Sequence, residues 1–361
     1  MNNKELLNEQ LIKAILDKNY KKVHYILALK ADVNARAFMG NGRSALSIAK
    51  KIGALEIANL LEQRGGVEIN LSSEDAKNLG VGVFYCLTED EVKNHFLMGA
   101  DFNVRDNNGD TPLLVTLKYK QFSHAWWYIK YMNDVNAINN EGKNALFYVV
   151  SKPDEEMFND FWEELLKKGA DVFQVDYNGN SVLFYAIESR KYDRAKDLIK
   201  RGLNVNRASK EGISALDIAC FMGDAEGVDL LIKNGADVNK KDRKKITPLI
   251  YAVRNEKVTN EIVRMLLEAG ANVDEKDCFG ERAIDVAINW QRWDIVCSLI
   301  EYGAKVDEKN KEMIEKVSDK DVVEMIKDAL DKRKERMKVK NKMIKKTIKV
   351  SDFFKKIFER K

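Results

Sequence analysis

Apolar residues recur along the chain at helical spacing, in paired short segments that end at glycine. The stretches GALEIANLLEQRGG (53–66), GDAEGVDLLIKNGADVN (223–239) and LLEAGANVD (266–274) set their apolar positions three and four residues apart, as one buried helix face requires. The closing glycines Gly169, Gly202, Gly235, Gly270 and Gly303 stand 33, 33, 35 and 33 residues apart, and Asp, Asn or Lys follows two positions later. Glycine there ends a helix in the left-handed conformation, which other residues adopt only at a cost.

A second mark opens the other helix of each pair: SALSIAKKIG (44–53), TPLLVTLKY (111–119), NALFYVVSK (144–152), SVLFYAIES (181–189), SALDIACFMG (214–223), TPLIYAVRN (247–255) and RAIDVAINW (282–290). Six of these seven begin with Ser, Thr or Asn, whose side-chain oxygen accepts from the orphan N–H groups of a first helical turn. Pro112 and Pro248 follow directly on the cap, where a missing N–H does no harm. A small residue recurs five positions after the cap (Ala49, Thr116, Ala186, Ala219, Ala252, Ala287), so neighbouring helices can approach closely.

The order of cap, apolar helix, turn, apolar helix and Gly-Ala-Asp-Val-Asn, at a period of 33, resembles the ankyrin repeat over residues 5–333. The resemblance implies an all-α solenoid of about nine helix–turn–helix units, beginning near residues 5, 38, 71, 106, 139, 176, 209, 242 and 277. The expected boundaries are an array over 1–310, a C-terminal helical cap over 311–333 and a basic amphipathic helical tail over 334–361. The first unit, which opens with no hairpin, serves as an N-terminal cap. Three departures from the family pattern stand out. The histidine of the usual Thr-Pro-Leu-His is replaced throughout, by Ser47, Leu114, Phe147, Phe184, Asp217, Ile250 and Asp285. Unit three (71–103) has no recognisable cap. Units five and eight carry extra residues around Lys152–Glu155 and Val258-Thr259, which should bulge at the turn between their helices.

One such unit cannot bury its own apolar faces, whereas a stack forms a continuous core and an extended surface. By resemblance to the family, a concave binding surface is built from hairpin tips and the outer faces of the first helices. The same carry-over places Arg43, Lys51 and Ile52 of unit two and Asp110 of unit four on that surface, with Asn41 beside them. The expected partner-binding residues are Tyr119, Tyr177, Phe221, Met222, Arg243, Lys244, Arg254, Phe279 and Trp290. Large apolar groups at solvent-facing positions are the usual anchors of interfaces. Phe221, Met222, Phe279 and Trp290 are expected to share one patch across units seven to nine. Trp126, Trp127, Trp162 and Trp293 fall on second helices and read as packing residues.

Composition narrows the chemistry. Cys86, Cys220, Cys278 and Cys297 form no C-x-x-C pair, which argues against a disulfide framework or a zinc site. The opening residues lack the apolar core of a signal peptide, and no run of about 18 apolar residues occurs, so a cytoplasmic location is expected. His24, His95 and His124 sit in no ligand or catalytic spacing, and His24 and His124 read as partly buried structural residues. LGVGVF (79–84) lacks the Lys-Ser/Thr of a phosphate loop. No enzyme, cofactor, metal or small-molecule substrate is expected.

The net charge of +4 hides an asymmetry, because residues 331–361 carry 14 Lys/Arg against 4 Asp/Glu. In that tail Met337, Ile344 and Ile348 share one helical face, Phe353, Phe354, Ile357 and Phe358 make a second, and Ser351 is placed to cap a final short helix. A cationic amphipathic helix suits an anionic membrane, a nucleic-acid backbone or an acidic partner; a solvated extension, or one folded back on the acidic body, stands beside these readings. The function expected is that of a non-catalytic protein-interaction module: adaptor, scaffold or inhibitor. The alternative is a tethering protein whose tail holds membrane or nucleic acid, or a host-directed effector, since a Lys/Asn/Ile-rich composition points to a bacterial genome.

Overall fold

The computed structural model describes residues 3–37, 43–68, 89–119, 121–131, 134–153, 156–256 and 258–358, with backbone alone at 3, 89, 130, 131 and 340–358. Over these it is helical, and the extended backbone is limited to three isolated antiparallel bridges, Arg36–Ser44, Ala208–Ser214 and Lys276–Arg282. The chain divides into two compact units, Met1–Tyr177 and Asn178–Lys361.

The first unit holds α1 (Asn3–Leu16), α2 (Tyr20–Ala28), α3 (Ala45–Lys51), α4 (Leu55–Gln63), α5 (Glu89–Met98), α6 (Pro112–Lys118), α7 (Phe122–Tyr131), α8 (Ala145–Val149) and α9 (Glu156–Lys167). Its core changes character along the chain. Leu11, Ile15, Val23 and Ile26 seal α1 against α2. Further on, aromatic rings take over: Phe96 and Phe102 meet Trp127 edge-on, while Phe158 and Phe161 contact each other and Trp126 stacks on Phe161 at 5.4 Å. Unit three's first helix, LGVGVF, Asn41 and Cys86 lie outside the described residues.

The second unit holds α10 (Val182–Glu188), α11 (Tyr192–Lys200), α12 (Ala215–Met222), α13 (Ala225–Lys233), α14 (Pro248–Val253), α15 (Asn260–Glu268), α16 (Ala283–Asn289), α17 (Trp293–Glu301), α18 (Glu308–Glu315) and α19 (Lys320–Phe358). Short first helices alternate with nine-residue second helices, and Leu198, Leu216, Leu231, Leu249, Leu266, Ile284 and Leu299 fill the layer between them. The recurrent small residues Ala186, Ala219, Ala252 and Ala287 are fully buried, as close helix approach demands.

The caps fall where the sequence puts them. Ser44, Thr111, Asn144, Ser181, Ser214 and Thr247 each accept a first-turn N–H, whereas the Arg282 side chain caps nothing and Asp285 instead accepts from Arg282 N (2.8 Å). After several second helices an asparagine ties one repeat to the next, and after α15 Asp274 accepts from Lys305 N (2.9 Å). Asn206 donates to Gly235 O (2.9 Å) and accepts from Asp237 N (2.7 Å), and Asn239 repeats both bonds with Gly270 and Asn272 (3.1 and 2.7 Å). In the first unit Asn136 does the same with Gly169 and Asp171 (2.9 and 2.7 Å).

The extra residues of the eighth unit form a longer turn with a buried plug. Val258 packs over Gly223, and Arg292 reaches back to Asn255 O (3.0 Å) and Val258 O. At the C-terminus one helix spans the expected boundary between cap and tail. A single helix, α19, crosses residues 333–334 and runs on through residue 351, so no separate short helix begins there. Neither glycine nor proline occurs between residues 320 and 358, so nothing in the sequence breaks the helix. Its first part is docked: Ile326 and Ala329 are buried, Arg333 donates to Ala304 O (3.1 Å), and Arg336 bonds Glu301 while lying 4.0 Å over the Tyr302 ring. Among the described residues no helix is long and apolar enough to cross a membrane.

Candidate partner-binding face

In the second unit three hairpins are each built on one side chain, buried at Asp242 and Asp277 and half-buried at Ser209. Asp277 Oδ1 accepts from Phe279 N (2.8 Å) and Glu281 N (2.9 Å), Asp242 Oδ1 from Ile246 N (2.7 Å), and Ser209 Oγ from Ile213 N (3.1 Å). Such local bonds bend the chain so that the two residues after each anchor form the tip. Tips are then joined edge to edge, Lys210 N to Asn178 O (2.7 Å), Arg243 N to Glu211 O (2.9 Å) and Cys278 N to Lys244 O (2.8 Å). Backbone groups are thereby consumed, and the tip side chains Lys210, Arg243, Lys244 and Phe279 are left facing solvent.

Behind the tips stand the C-terminal ends of the first helices. Phe221, Arg254, Val286, Asn289 and Trp290, with Glu281 of the last hairpin, line a hollow of about 320 Å³. Phe221 is 50% exposed and Trp290 42%, although Phe221 also sets its edge against Tyr251 at 6.4 Å. Arg254 crosses to the next hairpin, where it pairs with the buried carboxylate of Asp277 and with Glu281 at 3.2 Å. It thus holds the wall of the hollow, and its charge is already met within the chain.

The expected site residues divide accordingly. Phe221, Arg254 and Trp290 come together. Phe279 projects from the hairpin tip, 74% exposed, and Met222 is half-buried; neither lines the hollow. Arg243 lies 3.6 Å from Glu211 with both side chains exposed, and Lys244 is exposed. Tyr119 and Tyr177 belong to the first unit and are exposed there, Tyr119 with the Lys118 ammonium 5.9 Å from its ring centre. Three other expected surface positions are buried. Arg43 donates to the carbonyls of Phe96, Gly99 and Ala100 (each 3.2 Å) and so caps α5, Ile52 joins the core, and Asp110 is held by Asn139 (2.7 Å) and Lys118 (3.2 Å). The guanidinium fork of Arg43 satisfies helix-end carbonyls that have no partner within the helix, which a sequence pattern does not reveal. His24 is exposed where partial burial was expected, and His124 is buried.

An ankyrin-repeat family model, described as three copies, matches residues 156–242 and 216–310. Residues 156–310 are ankyrin repeats. No curated protein matches it. Two ankyrin positions in this stretch, where the family has histidine, carry aspartate instead, and their surroundings differ. Asp217 accepts from Ser214 N (2.7 Å) and Ser214 Oγ (2.6 Å) through one oxygen, while Oδ1 is buried with no partner among the described residues. Burial pushes its carboxyl up to about 6, against the two Ser214 bonds. Asp285 is buried less and bonded more. Burial opposes its ionisation, but Arg282 (2.7 and 2.9 Å) and Asn310 (2.7 Å) outweigh this and hold its carboxyl below the usual range. Ankyrin Asp285 is thus tied into the C-terminal end of the repeats, where Arg282 also reaches Asp307 (2.8 Å) and Lys305 O (2.7 Å).

Proposed function

We propose that this protein binds another protein through the hairpin tips and first helices of residues 178–310, with Phe221 and Trp290 as anchors. Ankyrin repeats mediate protein–protein interaction, and the observation that carries the finer reading is the hollow between these two exposed rings. Aromatic groups at the rim of a pocket, backed by a fixed wall, are what interface hot spots are made of. The action is occupancy of a surface, as in an adaptor, scaffold or inhibitor.

A photo-crosslinking amino acid at Asn289, in the lining of the hollow, is expected to trap a specific partner, and the same group at Lys233 on a second helix is not. With that partner purified, Trp290→Ala should weaken binding by about 2 kcal/mol, roughly thirtyfold. Equal adducts at both positions, or a loss below about 0.5 kcal/mol, would place the interface elsewhere.

A further inference from the structure

The hairpin at residues 240–245 reads Lys-Lys-Asp-Arg-Lys-Lys, and the structure sorts these six side chains by role. Asp242 is buried and accepts from Ile246 N and Tyr251 Oη (both 2.7 Å). Lys240 donates to Asn206 O, and Lys241 pairs with Glu275 at 2.6 Å. The remaining cations form the tip. Arg243 has only the exposed Glu211 at 3.6 Å, while Lys244 and Lys245 are exposed with no carboxylate partner among the described residues. Lys245 also stands in the left-handed conformation, φ 60°, at the position that glycine takes in the other described tips, Gly109, Gly142, Gly179, Gly212 and Gly280. Left-handed Lys18 and Arg190 occur at turns between helices, so the conformation alone marks nothing. What is particular here is a third cation added to two at one tip, where glycine would be the easier residue.

This tip adjoins the aromatic hollow. Lys244 O accepts from Cys278 N, and three residues beyond Cys278 comes Glu281 in the wall of the hollow. We propose that the Arg243–Lys245 tip and the Phe221–Trp290 hollow together take an acidic protein segment bearing one large apolar side chain, the carboxylates lying at the tip and the apolar group in the hollow. The inference rests on the reading that this face binds protein, and it names the chemistry of the partner. Unpaired cations attract a carboxylate-rich chain and set its orientation and approach rate. A nucleic-acid backbone fits less well, because Glu211, Glu275 and Glu281 interrupt the basic surface and a phosphate track needs cations in succession. The apolar floor at Val286 suits a side chain better than a charged backbone.

The test uses the full chain and a labelled twelve-residue peptide of Glu and Asp with one central Trp, followed by fluorescence anisotropy across a salt series. Comparison probes are the same peptide with Gly for Trp, a lysine counterpart and a twelve-nucleotide single-stranded DNA. Binding of the acidic Trp peptide is expected, weakened at least tenfold in Lys244→Glu/Lys245→Glu and about threefold in Lys245→Gly. The Lys245→Gly chain should unfold at the same or a higher temperature, which separates the charge from folding. Trp290→Ala should cost as much as replacing the peptide's Trp. Binding that ignores these substitutions belongs to the basic tail and overturns the proposal, as does equal binding of the lysine peptide. Preferred binding of DNA, lost in the double variant, makes the tip a nucleic-acid surface instead. If crosslinking at Asn289 traps a partner whose affinity the double variant leaves unchanged, the acidic-segment inference fails while protein binding stands. If nothing is trapped there, the reading beneath it fails.

Discussion

In residues 96–162 the layer between helix pairs is filled by rings, Phe96, Phe102 and Trp127 in one cluster and Phe122, Trp126, Phe158 and Phe161 in another, whereas in residues 178–361 it is filled by Leu, Ile and Val at recurring positions. Helix lengths follow the same division. The first unit sets a five-residue α8 against a twelve-residue α9, while the second holds its second helices at nine residues. Equal layers let one repeat stack on the next with the same contacts each time, so hairpin tips and asparagine bonds recur in register. Unequal layers need large side chains cut to local shape, and polar groups such as Arg43 must be buried to satisfy helix ends that the regular repeat satisfies by itself.

The sharpest break in the comparison comes from the rings. Phe161→Ala removes a fully buried side chain in contact with Phe158, Phe122 and Trp126, and should cost about 3–5 kcal/mol in urea unfolding. Leu231→Ala, its aliphatic counterpart in the second unit, should cost about 2–4 kcal/mol. An aromatic loss no larger than the aliphatic one would deny the rings a special part in the first unit.

Arg43→Lys tests the buried cation. Lysine keeps the charge but loses the fork that serves three carbonyls, and a loss of about 2 kcal/mol is expected. Arg282→Lys in the second unit should behave similarly at pH 7, because Arg282 also forks, onto Asp285, Asp307 and Lys305 O.

Within the second unit pH separates the two histidine-replacing aspartates. Folded Asp217 keeps its proton to about 6, whereas the unfolded chain releases it in the ordinary carboxylate range. The folded state therefore holds the extra proton between about pH 4 and 6, and stability falls as pH rises through that window. Asp217→Asn should remove this fall, so the stability of wild type relative to the variant drops by up to about 2–3 kcal/mol between pH 4 and 7. Asp285 has the opposite sign. Its lowered carboxyl stabilises the fold above the ordinary range and ceases to do so as pH falls. A pH profile of Asp217→Asn parallel to wild type would show that the carboxylate at 217 is solvated.

The smallest effect tests what the two units share. Asn136→Ala and Asn206→Ala each remove a pair of exposed inter-repeat bonds and should cost about 1 kcal/mol apiece by thermal or urea unfolding. A cost confined to Asn206 would mean that the asparagine ladder matters only where the repeat is regular.

Much of this was legible residue by residue. The caps from Ser44 to Thr247, the buried alanines and the eighth unit's bulge follow from helix-end chemistry and spacing, both local properties. Phe221 and Trp290 were found as large apolar residues at a surface position of a recurrent unit. Lys245 carried a signal too, a lysine where neighbouring hairpins have glycine, but its weight shows only when Lys241 is seen paired and Lys244 unpaired. Met222 and Phe279 shared the sequence signal of Trp290 and lie outside the hollow, because one position along a helix end or a hairpin turns a side chain away.

The sequence by itself determined the helices, their caps, the repeat and the polarity of its tips, since these depend on contacts within a few residues or on one recurring period. Tertiary structure decided which charges are spent internally, as Arg43, Asp110 and Arg254 are, and which remain available, as at Lys244 and Lys245. It also decided that two aspartates at one repeat position titrate in opposite directions. Burial, and bonds such as Arg43 to Phe96 O and Asn310 to Asp285, come from residues distant along the chain, and no local spacing records them.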